Sequence, residues 1–284
     1  MSDIPDNSVD LILTDPPYIT SRDSGMDKWV DHVAKQDQEG AKDLRTENDW
    51  KGLKTLRGWI NFLNKDNSLF ENDKVKAGSV KKKLKAYKRD YLKYGSIYGK
   101  KYAVKTNYGD WDSQFTMEQL ALFTKHFYRI LRPGGTCIVF FDLWKITNLK
   151  DILESEKFKQ IRLISWIKTN PQPINSSVNY LTNCREIALL GIKKSKPTFN
   201  SKYDNGIYKF PLQGGKFRFH PTQKSLALFE ELIRKHSNEG DLVLDCFAGS
   251  ATTAVAAKNT NRNFIGCEMD ETYYIKSMER IKNG

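Results

Sequence analysis

The sequence predicts an α/β fold: a doubly wound, mostly parallel sheet covered by helices on both faces, with a basic helical insertion set into it. Three observations carry this. Short apolar runs rich in β-branched and aromatic residues stand at 9–14, 136–141, 162–167, 185–192, 241–246 and 263–267, each the length of a buried strand. Helical patterns lie between several of them, at 116–131, 225–235, 251–259 and 271–282. Alternation of the two kinds implies crossover connections, and so a sheet whose ligands bind beyond the carboxyl ends of its strands. The third observation is a break in this rhythm over residues 21–107, which are polar and rich in Lys, Asp and Asn.

Each element has a local cause. The first strand, Val9-Asp10-Leu11-Ile12-Leu13-Thr14, runs straight into Asp15-Pro16-Pro17-Tyr18. Two prolines fix φ and remove two backbone donors, so the strand stops on a stiff corner. Inside the insertion Val80, Leu84, Tyr87, Tyr91 and Tyr94 recur at helical spacing, with Ser79 as a cap and Gly95 as a stop. The other face of that helix is Lys81, Lys82, Lys83, Lys85, Lys88, Arg89 and Lys93. The 116–131 pattern aligns Met117, Leu120, Phe123, Phe127, Ile130 and Leu131 and stops at Pro133-Gly134-Gly135. Near the C-terminus, Leu242-Val243-Leu244-Asp245 enters Cys246-Phe247-Ala248-Gly249-Ser250, read as strand, tight turn and helix start, with Gly249 where backbone must come close to a ligand. The next strand ends in Glu268, whose carboxylate can accept bonds from ribose hydroxyls. A nucleoside site is the reading that joins these two features.

Composition bounds the rest. A chain of 284 residues accommodates one full core plus an insertion or small second domain. It has no apolar run long enough to span a membrane and no basic-then-apolar leader, which predicts a cytoplasmic protein. Cys137, Cys184, Cys246 and Cys267 form no C-x-x-C pair and are expected as reduced, buried thiols; the four histidines are equally dispersed, so no metal site is expected. The net charge of +12 points to a polyanionic partner. Nearly all of it is local: residues 74–105 hold twelve Lys or Arg against one acid, Asp90, whereas 21–73 hold nine basic and eleven acidic residues. A one-sign helical face repels itself unless phosphates neutralise it, so the insertion helix is assigned to nucleic-acid backbone.

Together these stretches resemble the amino-directed DNA methyltransferases. Asp15-Pro16-Pro17-Tyr18 matches their catalytic D-P-P-Y, and Phe247-Ala248-Gly249-Ser250 their F-x-G-x-G loop for S-adenosylmethionine. With the catalytic motif first and the cofactor loop last, the order is that of the beta group of adenine-N6 and cytosine-N4 enzymes. Arg132-Pro133-Gly134-Gly135, Trp166 and Lys168 before Asn170-Pro171, Arg185-Glu186, His220-Pro221-Thr222-Gln223-Lys224, and Glu268 through Tyr273 extend the match over most of the chain outside the insertion. Tyr108 through Asp112 is family-like too, with no derivable role. Three departures stand out: Ala251 replaces the second loop glycine, Ser225 replaces a proline after Lys224, and the sequence opens at the Ile4-Pro5-Asp6 segment, so the N-terminal edge strand that precedes it in the family is expected to be absent.

The resemblance implies a Rossmann-like methyltransferase domain formed by 1–20 and 108–284, with 21–107 as the candidate DNA-binding and target-recognition region. It implies that Asp15 and the Pro16 carbonyl accept the two hydrogens of a flipped-out base's amino group, that Pro17 stiffens the corner, and that Tyr18 stacks on the base. Asp245, Phe247, Ala248, Gly249, Ser250 and Glu268 are the expected cofactor loop and ribose ligand, with His220, Thr222 and Lys224 near the cofactor's methionine end. Lys168, with Trp166, either touches the target strand or finishes a β-strand. Asp15 favours adenine, since cytosine-N4 enzymes usually carry Ser there. The expected substrate is double-stranded DNA, and a homodimer and a restriction-enzyme partner are compatible with the family. Alternatives are a cytosine-N4 enzyme, a non-catalytic DNA-binding member of the fold, and an RNA-base or protein-glutamine methyltransferase; Asp15 argues against the last, which typically shows Asn.

Overall fold

The computed structural model describes residues 1–19, 25–55, 77–100, 115–171, 183–214, 218–220 and 222–283. The chain divides into two compact units, Met1–Thr20 with Gly109–Gly284, and Ser21–Tyr108. In chain order the strands are β1 (Val9–Thr14), β2 (Leu131–Phe141), β3 (Lys159–Lys168), β4 (Arg185–Ile192), β5 (Ile207–Phe210), β6 (Leu242–Asp245) and β7 (Asn263–Gly266). The helices are α1 (Gly25–Asp37), α2 (Glu47–Thr55), α3 (Ala77–Tyr94), α4 (Met117–Ile130), α5 (Ile146–Ser155), α6 (Leu226–His236), α7 (Thr252–Asn259) and α8 (Glu271–Asn283).

The larger unit holds one seven-stranded sheet in the order β5-β3-β4-β2-β1-β6-β7. β4 runs antiparallel to both its neighbours, β2 and β3, and the other pairings are parallel. Because successive strand residues point to opposite faces, Cys137, Val139 and Phe141 of β2 enter one core with Leu120 and Phe127 of α4 and Leu149 of α5. Ile138 and Phe140 enter the other, with Leu228, Phe229 and Leu232 of α6 and Ala256 of α7. Burying each of these large side chains stabilises the fold by roughly 1.5–3 kcal/mol, and both faces of the central strands contribute.

Several elements are hidden in the sequence pattern. β5 is only four residues long and pairs at the sheet edge with β3. α5 is unannounced although Ile146, Leu149 and Leu153 have helical spacing; its N-cap, Lys145, makes no side-chain cap bond, and Asp142 instead caps the preceding 3₁₀ turn. Arg132-Pro133-Gly134-Gly135 acts as structure: Arg132 pairs with Asp10, and Gly134, at φ +80, donates its N–H to Lys193 O at 2.7 Å. A side chain at Gly134 would stand 2.4 Å from Lys196 O, so only glycine fits. Trp166 is fully buried and donates Nε1–H to Phe210 O at 2.8 Å, which ties β3 to β5. All four cysteines are free, but only Cys137 and Cys246 are buried; Cys184 is half-buried and Cys267 exposed, which corrects the expectation of four buried thiols. Among the described residues, no helix is long and apolar enough to cross a membrane and no cluster of metal-ligand residues occurs.

In the smaller unit α3 starts at Ala77, so Ser79 lies within its first turn and does not cap it. Gly95 does end it, at φ +74 with its N–H on Tyr91 O at 2.9 Å. The tyrosine stripe packs as expected: Tyr94 is 4 % exposed, and Tyr91 meets the buried Trp50 of α2 with ring centroids 5.7 Å apart. The basic face, however, is not uncompensated. Lys88 pairs with Glu47 at 2.7 Å, Arg89 with Asp90 at 2.7 Å, and Lys93 with Asp37 at 3.2 Å. Asp37 also receives Lys100 and the Tyr94 hydroxyl, and these bonds hold its carboxyl well below the usual range. The neutralising acids Asp37 and Glu47 come from α1 and the start of α2, outside the basic 74–105 window. Lys85 is exposed and in no ion pair with a described residue. The side chains of Lys81, Lys82 and Lys83, and the stretch Tyr108–Asp112, lie outside what is described.

Candidate active site

β1 and β6 are adjacent and parallel, with Leu11 opposite Val243 and Ile12 opposite Leu244, so Asp15 and the loop after Asp245 leave the same edge of the sheet. A buried bond fixes this: Thr14 Oγ1 donates to Asp245 Oδ1 at 2.6 Å. Asp245 also accepts from Thr253 Oγ1 at 2.5 Å and from the Phe247 N–H at 3.0 Å. One carboxylate thus ties the end of β1, the turn after β6 and the first residues of α7. Burial raises its pKa, and the three bonds oppose that rise.

Asp15 sits in a cluster of charge. Its Oδ2 is 2.7 Å from Lys224 Nζ, and the same ammonium stands 2.8 Å from Glu186 Oε2. Lys168 Nζ takes the other oxygen of Glu186 at 2.7 Å. Burial opposes the charge on Lys224, but Asp15 and Glu186 outweigh it and hold the ammonium firmly protonated. Burial likewise pushes Glu186 up, and the two lysines overcome it and leave the carboxyl below its ordinary value. For Asp15 burial wins: helped by the negative Glu186 and only partly offset by Lys224, it raises the carboxyl to about 6. Asp15 Oδ1 and the Tyr18 hydroxyl are buried with no hydrogen bond of good geometry among the described residues, although the hydroxyl lies close enough to the Asp15 carboxylate to interact with it. An unpaired buried acceptor costs about 1–3 kcal/mol unless a ligand supplies the donor, so the arrangement suits a group bearing N–H bonds. The Tyr18 ring meets Phe141 edge-on at 6.1 Å and lies 5.4 Å from Lys224 Nζ.

The glycine loop is built next to this cluster. Gly249 has φ +50 and donates its N–H to Glu268 Oε2 at 2.6 Å; Glu268 Oε1 accepts from the Asp270 N–H at 2.8 Å. Each carboxylate oxygen retains a lone pair for a hydroxyl. His220 faces the loop: a Cβ on Gly249 would stand 3.7 Å from its Nε2, and its ring lies 4.4 Å from that of Tyr273. Its Nδ1 accepts from the Thr222 N–H at 3.3 Å, which places the ring proton on Nε2. Burial and the nearby Lys224 push its pKa down to about 4, so the imidazole is neutral. A carboxylate with free lone pairs beside a turn whose central residue, Gly249, has no side chain fits the ribose and chain of S-adenosylmethionine.

The expected residues therefore divide. Asp15, Pro16, Pro17, Tyr18, Asp245, Gly249, Glu268, His220 and Thr222 gather along one sheet edge with Ala248, whose N–H bonds Cys267 O at 2.9 Å. Lys224, expected at the methionine end of a cofactor, pairs with Asp15. Lys168, expected on nucleic acid, is 13 % exposed and occupied by Glu186. Phe247 packs its ring against Phe115 and Phe123, and Ser250 is tied through its carbonyl to Arg280 at 2.7 Å, so both brace the loop. Ala251 adopts the left-handed region at φ 56, where the family's glycine has no steric conflict. Glu186 has no role that its local sequence assigns; its one signal is an acid at the mouth of an apolar strand, matched by Lys168 at the end of the neighbouring one.

Comparison with known proteins agrees with this geometry. A profile of the N6/N4 DNA methylase family matches residues 9–279. The type II methyltransferase M2.DpnII of Streptococcus pneumoniae is 32% identical over 199 residues, 63% of this chain and 74% of that protein. M2.MboI of Moraxella bovis, also a type II methyltransferase, is 31% identical over 195 residues, 61% and 70% of the two chains. Among solved structures, M1.HpyAVI bound to S-adenosylmethionine is 35% identical with a TM-score of 0.52, over 58% of this chain and 82% of its own. The cytosine-N4-specific PvuII DNA methyltransferase, 15% identical with a TM-score of 0.58 over 99% and 86%, shares the fold. The chain belongs to the N6/N4 DNA methylase family, whose members transfer a methyl group from S-adenosylmethionine to DNA.

Proposed function

We propose that this chain methylates the N6 amino group of a flipped-out adenine in double-stranded DNA. The observation that carries the reading is the buried Asp15 Oδ1, without a hydrogen bond of good geometry, at the carboxyl end of β1 beside the Gly249 loop. An adenine amino nitrogen is a poor nucleophile because its lone pair is delocalised into the ring. Two fixed acceptors, Asp15 Oδ1 and the Pro16 carbonyl, draw its hydrogens and turn the lone pair outward; the prolines keep both in place as charge develops. Tyr18 offers its ring to the extruded base. Glu268 and the Gly249 turn would hold S-adenosylmethionine, which when bound would supply an electrophilic methyl group with a neutral thioether as leaving group. Catalysis on this reading is positioning of two reactants at one sheet edge.

The insertion, with Lys85 and the lysines before it, supplies phosphate contacts and target reading. The type II naming of the S. pneumoniae relative suggests a restriction enzyme acting on the same sequence. A homodimer is the finer reading that sedimentation of the purified protein decides. Nucleoside mass spectrometry of DNA from expressing cells, with Asp15→Ala as control, tests the chemistry. N6-methyladenine supports it; N4-methylcytosine moves the base; neither product removes it.

A further inference from the structure

Two lysines and two carboxylates alternate through the protein from β3 to the D-P-P-Y corner: Lys168, Glu186, Lys224, Asp15, with successive separations of 2.7, 2.8 and 2.7 Å. Lys224 has 8 % of its side chain exposed, and the two carboxylates 19 % each. We propose that Glu186 and Lys224 are positioning residues that set how strongly Asp15 draws the proton released by the methylated amine, by sharing one ammonium between two carboxylates. This rests on Asp15 being the acceptor of an amino hydrogen.

The chemistry sets two opposite demands. As the amine nitrogen bonds the methyl carbon, the carbon–sulfur bond breaks with its electron pair left on sulfur. The nitrogen then holds one hydrogen too many; that N–H bond breaks and Asp15 Oδ1 gains the proton, to release it to water when the product base withdraws. Asp15 must be ionised beforehand, yet basic enough to take the proton.

Burial alone would favour the protonated acid, and an undivided lysine would make the carboxylate too weak a base. Lys224 meets the first demand. Glu186 meets the second, since it adds a negative charge and takes half of the ammonium's contacts, while Lys168 keeps Glu186 itself ionised. The remaining groups facing Asp15 are Tyr18 on its own loop and, farther off, Asp245 from β6, which acts in the same sense as Glu186. The outcome is a carboxyl near 6, between the two failures.

The test is the titration of Asp15 in the enzyme without cofactor, read as the carboxyl band in infrared difference spectra against Asp15→Asn, beside the acid limb of single-turnover methylation. Glu186→Gln, which keeps the shape, should lower the Asp15 midpoint by about one pH unit, and Lys224→Met should raise it by about one to three. Lys168→Met, one charge farther away, should raise it less than Lys224→Met and leave the salt dependence of DNA binding unchanged, whereas a phosphate ligand would flatten it. Thermal melts identify any variant that fails to fold, and Glu186→Gln alone then carries the test. An unmoved Glu186→Gln midpoint, shifts of one sign in both variants, or an acid limb that stays put while the carboxyl moves would each overturn the proposal. If no variant and not even the parent methylates DNA while the midpoints move as stated, the assignment of Asp15 as amine acceptor falls, and the charge sharing is still measured.

Discussion

Asp15 is placed where ionisation works against folding, and replacing it by Asn should therefore stabilise the protein while abolishing methyl transfer. Its carboxyl is raised from 3.8 to about 6, with burial the main cause. At ~1.4 kcal/mol per pKa unit, the ionised form in the folded state is penalised by about 3 kcal/mol. A folded pKa above the unfolded one stabilises below about pH 4, and that contribution is lost as pH rises through about 6. Asn mimics the neutral acid in shape and can still turn its carbonyl to Lys224, whose own charge is common to both proteins. Asp15→Asn should thus match the parent near pH 4 and exceed it by about 3 kcal/mol at pH 8. With roughly 2–4 °C per kcal/mol for chains of 150 to 250 residues, the melting temperature at pH 8 should rise by ~6 °C or more. Paired melts of the two proteins across pH 4 to 8 measure this directly. An Asn variant that is less stable at pH 8, or a difference that does not change with pH, would refute the placement of Asp15 in a desolvated site.

Three further outcomes follow from individual residues. Asp245→Ala leaves the Thr14 hydroxyl, the Thr253 hydroxyl and the Phe247 N–H without their acceptor and should cost about 3–5 kcal/mol, at ~1–3 per buried orphan with some water entry; Asp245→Asn should cost far less, and denaturant midpoints separate the two. Ala251→Gly should stay within about 1 kcal/mol of the parent, because ~1–2 kcal/mol of left-handed strain is offset by the removal of a buried methyl worth ~0.8. Ala251→Val, branched at Cβ in the same backbone, should lose upward of ~2 kcal/mol in the same assay. Charge reversal of Lys81, Lys82 and Lys83 should weaken DNA binding and reduce the salt slope by about one for each phosphate no longer neutralised; reversal at Lys93, which neutralises Asp37, should instead lower the melting temperature of the insertion.

How much of this is legible in the sequence depends on the distance over which each cause acts. β1, β4 and β6 and the helices α4, α6, α7 and α8 follow from apolar periodicity within a dozen residues, and the D-P-P-Y corner from proline chemistry. The Gly249 turn and Glu268 are legible for the same reason. The Asp15 cluster is not, because Lys168, Glu186 and Lys224 approach it from β3, β4 and the segment before α6, and no spacing rule connects them. Charged residues at the mouths of apolar strands are the only trace. Local counting also misleads where compensation is remote: the lysines of α3 look unneutralised because Asp37 and Glu47 lie outside the basic window. β5 is too short to give a period, and Ser79 has the chemistry of a cap but lies inside the first turn of its helix.

On the proposed function, His220 and Lys224 connect the Asp15 corner near one end of the chain with the Gly249 loop near the other. His220 faces Gly249 with its ring tilted against that of Tyr273, and Lys224 pairs with Asp15. The two strand ends are joined by the buried Thr14–Asp245 hydrogen bond, and His220 and Lys224 stand against one of them each. Lys224 also lowers the proton affinity of His220, which keeps the imidazole neutral beside the loop.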